Sequence, residues 1–442
     1  MTDAVPGYES WGRLPDAPPA RALTLRRGAL PQAAGGELLA YGRGRSYGDA
    51  CLNGGRTVLD TRALDRALAF DAEAGVLRAQ AGMTLAEVLA LTVPRGWFLP
   101  VTPGTKYVTL GGAVANDVHG KNHHVAGTFG RFVDEIGLVR SVDTDTAGGG
   151  VPAGERIALT PGDALFAATV GGLGLTGLMT DVTFRLLPIA SDQIASTSTK
   201  FKTLAEFFEL SAAAPDPYVV SWLDVLRPEG RGLLMAGDHA PHGTLPAPGD
   251  AARPRLSLPI DAPSWALGKL SVKAFNLAYY GRQRRRVAHS AGHYEPFFYP
   301  LDAVGAWNRG YGARGFYQYQ FVVPHADGDA AVRAILGRLA RAGAGSFLAV
   351  LKTFGDVPSP GLLSFPMPGV TLALDLPNRG PETVRLLRSC DDVVREAGGR
   401  VYPAKDACMT PESFRAFFPE WAELAQAADP AFSSTFWRRV TA

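Results

Sequence analysis

The segment PGTKYVTLGGAVANDVHGKNHHVAGTFG, residues 103–130, constrains this chain more than any other. Six glycines share it with Asn116, Asp117, His119, Lys121, Asn122, His123 and His124, and bulky apolar residues are few. Such a stretch makes poor core and reads as a wrap around a polar ligand. A metal site at His119, His123 and His124 is the rival reading. Gly120 and Asn122 weaken the helix that would bring i and i+4 imidazoles to one face, and no acidic ligand is spaced to help, so no metal is expected.

Two further glycine loops point the same way. In YGRGRSYGD, residues 41–49, Gly42, Gly44 and Gly48 surround Arg43, Arg45, Ser46 and Tyr47. Converging backbone N–H groups and the Ser46 hydroxyl suit a diphosphate. The letters GRSYG also match the nucleophile elbow of serine hydrolases. An elbow needs a helix after its serine, whereas DACLNGG follows and no HGGG-type loop precedes, so that reading is set aside. In TVGGLGLTGLMTDV, Gly172, Gly174 and Gly177 spell G-x-G-x-x-G, but a helix-like GDALFAATV precedes and a strand follows. That order is the reverse of a Rossmann turn. Three glycine-rich loops on one α+β domain imply a large, extended, phosphate-containing cofactor.

The chain has 442 residues, enough for two or three domains, and a formal charge of +2. That balance excludes a dedicated nucleic-acid binder. No run of about eighteen apolar residues suggests a membrane span, and MTDAVPGYESWGRLPD lacks a signal pattern. Cys51, Cys390 and Cys408 have no CxxC spacing, so neither a disulfide framework nor structural zinc is expected, and a reducing cytoplasm fits. Residues 36–188 alternate short apolar runs with glycine loops, and Val182, Phe184 and Leu186 alternate with Asp181, Thr183 and Arg185 as in a half-buried strand. From Ile189 the texture changes to YVVSWLDVL, GFYQYQFVVP, SFLAVLKTFG and VTLALDLP, strands of an antiparallel sheet separated by helices such as DAAVRAILGRLARAG. A Pro- and Gly-rich stretch over 238–262 reads as a mobile loop. The aromatic and basic KLSVKAFNLAYYGRQRRRVAH after it is either a solvated face or a membrane- or phosphate-facing patch.

Together the three glycine loops resemble the FAD-binding domain of the vanillyl-alcohol-oxidase and p-cresol methylhydroxylase superfamily. AVANDVHGKNHHVAGTFG, WNRGYGARGFYQYQFVVP, VLKTFG, LSFPMPG and GGRVYPAKD narrow the resemblance to the decaprenylphosphoryl-β-D-ribose oxidases, from about Trp11 to the C-terminus. The implied fold is α+β. A two-part PCMH-type FAD-binding domain, residues 1–190 and 400–442, encloses an inserted substrate domain, 191–399, with an antiparallel sheet flanked by helices. FAD would be held by Arg43, Gly44, Arg45, Ser46, Tyr47 and Gly48 on the first loop. Pro103, Gly104, Thr105, Gly111, Gly112, Asn116, His119, Gly120, Asn122 and Gly127 would serve on the second, Gly172 and Gly177 on the third, and Tyr402 and Lys405 near the end. Because that first loop offers Tyr47 where covalent members place histidine, the resemblance implies non-covalent FAD.

Lys405, His119, Lys121 and Tyr47 are the candidate catalytic residues, and Tyr299, Gln318, Gln320 and Lys352 would line the pocket in front of the flavin. The family cysteine after LSFPMPG is replaced by Ala373, with Thr371 two residues before. The implied reaction oxidises a sugar secondary alcohol, the 2'-hydroxyl of a polyprenyl-phospho-β-D-ribofuranose, with a short-chain reductase partner completing epimerisation to arabinose and a peripheral membrane contact for the lipid. The alternative is an aldonolactone or sugar-alcohol oxidase acting on a soluble sugar.

Overall fold

The computed structural model describes residues 5, 7–26, 30–31, 36–146, 149–227, 229–246, 256–263 and 268–442. Two antiparallel sheets dominate. The first has five strands in the order Arg156–Leu159, Val133–Val139, Leu178–Arg185, Val76–Gln80 and Ala67–Asp71. Its apolar face packs Leu77, Ile136, Val182 and Phe184 against the helices Leu85–Thr92 and Leu110–Ala115. The first of these helices starts where Thr84 and Glu87 cap each other's backbone reciprocally, leaving Leu85, Val88 and Leu89 to face inward. Beside this sheet Leu38–Tyr41, Thr57–Asp60 and Arg21–Thr24 form a small parallel one.

The second sheet has eight strands in the order Val287–His293, Gln193–Phe201, Gly232–His239, Tyr218–Leu223, Ala349–Phe354, Gly369–Pro377, Phe316–Val323 and Arg400–Val401. Helices Gly328–Arg341 and Pro381–Glu396 cover one face, where Tyr317, Tyr319 and Phe321 join Ile335, Leu336 and Leu387 in one core. Strand alternation then turns Gln318 and Gln320 to the opposite face. Neither glutamine is exposed, since this strand is buried along its whole length.

Three details differ from the sequence reading. The strand Leu178–Arg185 is buried on both faces over its first half, because it lies mid-sheet and Asp181 is held inside by Arg78 and Arg156. Of the loop expected over 238–262, residues 247–255 lie outside the described residues. Within the remainder, Asp238 and His239 finish a strand and Leu256–Ser257 pairs in parallel with Val304–Gly305. Finally, Arg400 and Val401 extend the second sheet beside Val322 and Phe321, and the next residue, Tyr402, already reaches the N-terminal part through the Asn116 carbonyl. There Ser433 donates its N–H to Leu38, Thr435 donates to Leu52, and Arg439 forms ion pairs with Asp49 and Asp406.

Candidate active site

A cavity of about 1060 Å³ opens where the two sheets meet, walled by all three glycine loops on one side and by the eight-stranded sheet on the other. Two glycines seat the first loop. Gly44 has φ +59°, and a Cβ there would stand 2.3 Å from the Glu9 carbonyl oxygen. A Cβ on Gly48 would stand 1.6 Å from the carbonyl oxygen of Asp406, so the loop lies flat against the segment that carries Lys405. The second loop enters the helix Leu110–Ala115, whose cap Thr109 accepts from the Gly112 N–H. Two buried polar atoms of the wall, Asn116 Oδ1 and Arg45 Nε, have no hydrogen-bond partner among the described residues. The Arg45 guanidinium lies 3.9 Å from the Trp11 ring centroid. Volume, glycine lining and unsatisfied polar atoms fit a dinucleotide such as FAD.

The polar centre has two halves. In the first, His119 is buried, with 8% of its surface exposed. Its Nδ1 lies 3.2 Å from Lys352 Nζ and its Nε2 lies 3.0 Å from the Gln320 amide, which also contacts Thr371 Oγ1 at 3.2 Å. Lys352 donates as well to the Gly120 carbonyl at 3.1 Å. Burial and the adjacent ammonium of Lys352 hold the imidazole well below its usual range, so it is neutral. Burial, with Lys121 and Lys405 nearby, lowers Lys352 itself to about 7. Lys121, lowered by burial to about 8, reaches the Phe298 carbonyl at 3.4 Å.

In the second half, Lys405 Nζ stands 3.9 Å from the Tyr47 ring centroid. Asp375 accepts from Gln318 Nε2 at 2.6 Å and from the Tyr311 hydroxyl at 3.3 Å. Burial lowers Lys405 while the Asp375 charge raises it; burial raises Asp375 while Gln318 and Lys405 lower it. Tyr299 closes the cavity floor with its hydroxyl 2.7 Å from Thr102 Oγ1, and Tyr402, stacked on Phe365, donates to the Asn116 carbonyl at 2.8 Å.

Most candidates from the sequence line this one cavity: Arg43, Gly44, Arg45, Ser46 and Tyr47; Pro103, Gly104 and Thr105; Gly111, Gly112, Asn116, His119, Gly120 and Lys121; and Gly177, Tyr299, Gln318, Gln320, Lys352, Ala373, Tyr402 and Lys405. Five do not. Gly48 packs on Asp406, Asn122 donates to the Pro100 carbonyl, Gly127 sits against Arg131 and Val357, and Gly172 abuts the Ala168 carbonyl. Thr371 lies behind Gln320.

The sequence reading missed Asp375, Asp302 and Glu295 on the wall, and an aromatic group of Trp222, Phe275, Tyr279 and Phe347 at another part of it. A period of two from Thr371 and Ala373 would have found Asp375. Asp302 accepts from the Lys106 N–H at 2.8 Å, and Glu295 pairs with the Lys106 ammonium. Among the described residues no three His, Cys, Asp or Glu side chains gather to hold a metal.

A family model described as an FAD binding domain matches residues 29–143, the stretch with the first two glycine loops. Fold, cavity and match define an FAD-binding oxidoreductase. A decaprenylphosphoryl-β-D-ribose oxidase of Mycolicibacterium smegmatis is 36% identical, the alignment covering 91% of this chain and 89% of that protein. A protein of Streptomyces coelicolor described as uncharacterized, in the mprA 5' region, is also 36% identical, over 81% of this chain and 100% of its own. A D-lactate dehydrogenase of Anaerostipes hadrus is 24% identical over 34% of this chain. The chain belongs to the decaprenylphosphoryl-β-D-ribose oxidase family, and it is an FAD-dependent enzyme.

Proposed function

We propose that this enzyme oxidises the 2'-hydroxyl of a polyprenyl-phospho-β-D-ribofuranose to a ketone, the first half of an epimerisation to arabinose that a short-chain reductase completes. The carrying observation is that one cavity joins a glycine-lined cradle, two clusters of polar side chains and an aromatic wall. Bound FAD supplies the two-electron acceptor. Residues 1–190 and 400–442 hold it, through the three glycine loops, Tyr402 and the turn at Lys405. Lys405, Asp375 and Gln318 grip the sugar from one side, and His119 with Lys352 and Gln320 from the other. Ala373 leaves room between them.

The lipid reading also accounts for the helix Lys269–Gly281, which borders the aromatic wall with Phe275 and Tyr279 and exposes Leu270 and Leu277. Arg282, stacked 3.8 Å from Tyr279, adds a cation beside them. We assign this face to peripheral membrane contact. No helix among the described residues is long and apolar enough to cross a membrane.

The FAD is non-covalent in this reading, because Tyr47 occupies the first loop and both His119 nitrogens are engaged. Acid precipitation should leave a colourless pellet. Anaerobic bleaching of the purified yellow enzyme by a polyprenyl-phospho-ribose, compared with gulonolactone and xylitol, tests the substrate. Bleaching by a soluble sugar alone would replace the lipid substrate with the soluble one.

A further inference from the structure

Deprotonation of the substrate hydroxyl needs a group that is unprotonated near neutrality, buried in the cavity and not committed to another cation. Tyr47 and Tyr299 fail, since burial raises both phenols above the usual 10. His119 is neutral but has both ring nitrogens engaged, one of them by an ammonium. Glu295 is taken by Lys106, and Asp302 accepts from the Lys106 backbone beside Arg45. Burial lowers Lys405 and the Asp375 charge raises it, so of this pair the lysine holds the proton first and the carboxylate is left to accept one.

We propose that Asp375 is the general base of the oxidation: its Oδ2 takes the hydroxyl proton while Lys405, kept cationic beside it, steadies the oxygen. This rests on the reading that a secondary alcohol is oxidised in this cavity. The carbinol C–H bond breaks with its electron pair, and the hydride passes to FAD, which is reduced. The O–H bond breaks with its proton going to Asp375, and the carbon–oxygen double bond forms.

The geometry is specific. Asp375 lies on the strand Gly369–Pro377 with only 1% of its surface exposed, yet it lines the cavity. Its Oδ1 is held by Gln318 at 2.6 Å, whereas among the described residues Oδ2 has only the longer contact of 3.3 Å to Tyr311 and keeps acceptor capacity for a substrate O–H. The titratable groups facing it are Tyr311 from the turn Trp307–Tyr311, Tyr47 from the first glycine loop, and Lys405 from the C-terminal segment. Burial brings the carboxyl up to about 6, so it is ionised at neutral pH and basic enough to accept a proton. The Ser346 hydroxyl, accepting from the Asp375 backbone N–H at 3.0 Å, fixes the strand at this point.

The test is single-turnover flavin reduction in Asp375→Asn, with whichever sugar alcohol bleaches the wild type. Failure of the polyprenyl-phospho-ribose alone removes that substrate, and the soluble sugar that bleaches the flavin then serves. Asp375→Asn keeps an acceptor oxygen for Gln318, so a purely structural aspartate would leave the rate near wild type. A base predicts a loss on the order of a hundredfold or more, with the substrate dissociation constant changed far less. In the wild type the rate should fall as pH drops through about 6, and this acid limb should vanish in the variant. Infrared difference spectra of the reduction, brought to completion, should show a carboxylate becoming a carboxylic acid only in the wild type. Should Asp375→Asn emerge without FAD, Asp375→Glu is read instead, and its acid limb should shift. A wild-type rate or an unmoved acid limb in the folded variant would overturn the assignment.

Discussion

Lys352 Nζ stands 3.2 Å from His119 Nδ1, and the protonation of the lysine decides which nitrogen of the ring carries the proton. A charged Lys352 only donates and puts the ring hydrogen on Nε2, whereas Lys352 lowered to about 7 and uncharged accepts from Nδ1–H and leaves Nε2 as acceptor. The Gln320 amide nitrogen lies 3.0 Å from Nε2 and donates to the Thr371 oxygen at 3.2 Å, the arrangement that suits an Nε2 acceptor and an uncharged Lys352.

Lys352→Met removes that constraint. Flavin reduction should slow by roughly ten- to a hundredfold, since one charge and one oriented ring are lost together. Stability should move the other way. Lys352 is lowered from 10.5 to about 7 in the fold, so the unfolded chain binds the proton more tightly between those values. The wild type therefore gains stability as pH rises from about 7 toward 10.5. The variant should melt higher at pH 7 and lack that gain, and thermal melts across the range would show otherwise if Lys352 were solvated.

Lys405→Ala should cut the rate of flavin reduction by on the order of a hundredfold while the fold survives, because one charge-assisted contact at the reacting oxygen is lost. Tyr47→Phe keeps the ring face under the ammonium and should cost far less. Single-turnover rates of the two variants separate a lysine at the reaction centre from a surface lysine, whose removal would leave turnover untouched.

His123 offers an acid-stability test. It is 1% exposed, neither ring nitrogen has a partner among the described residues, and its ring lies 4.3 Å from that of Phe354. Burial, with Lys352 and His124 nearby, lowers it from 6.5 to about 3. The unfolded chain thus takes up a proton that the fold refuses, and stability present above pH 6.5 is lost as pH falls toward 3. At pH 5 the loss is about 2 kcal/mol. His123→Phe should abolish that part of the acid loss, seen as a smaller drop in Tm between pH 8 and pH 5.

The glycine loops were readable from the sequence because polar residues set among glycines have little use except around a ligand. Their placement on an α+β scaffold followed from strand-length apolar runs. Lys352 and Lys405 came through resemblance, since a lysine after an apolar strand is otherwise an ordinary surface residue. Asp375 escaped notice because VTLALDLP reads as an apolar strand with one interruption, and only the Gln318 partner across the ladder turns it into a site residue. The edge pairing of Arg400–Val401 was invisible for a physical reason: a two-residue strand has no periodicity to detect.

The flat seating of Gly48 on the Asp406 carbonyl has a consequence for how the enzyme comes into being. Chains are made from the N-terminus, and domains tend to fold as they emerge. The first glycine loop and the turn bearing Lys405 are made far apart in time, yet each is the other's packing surface. The cofactor cradle therefore lacks one wall until the turn bearing Lys405 has been made and has packed against the first loop, so capture of flavin follows synthesis of that turn rather than of the glycine loops alone.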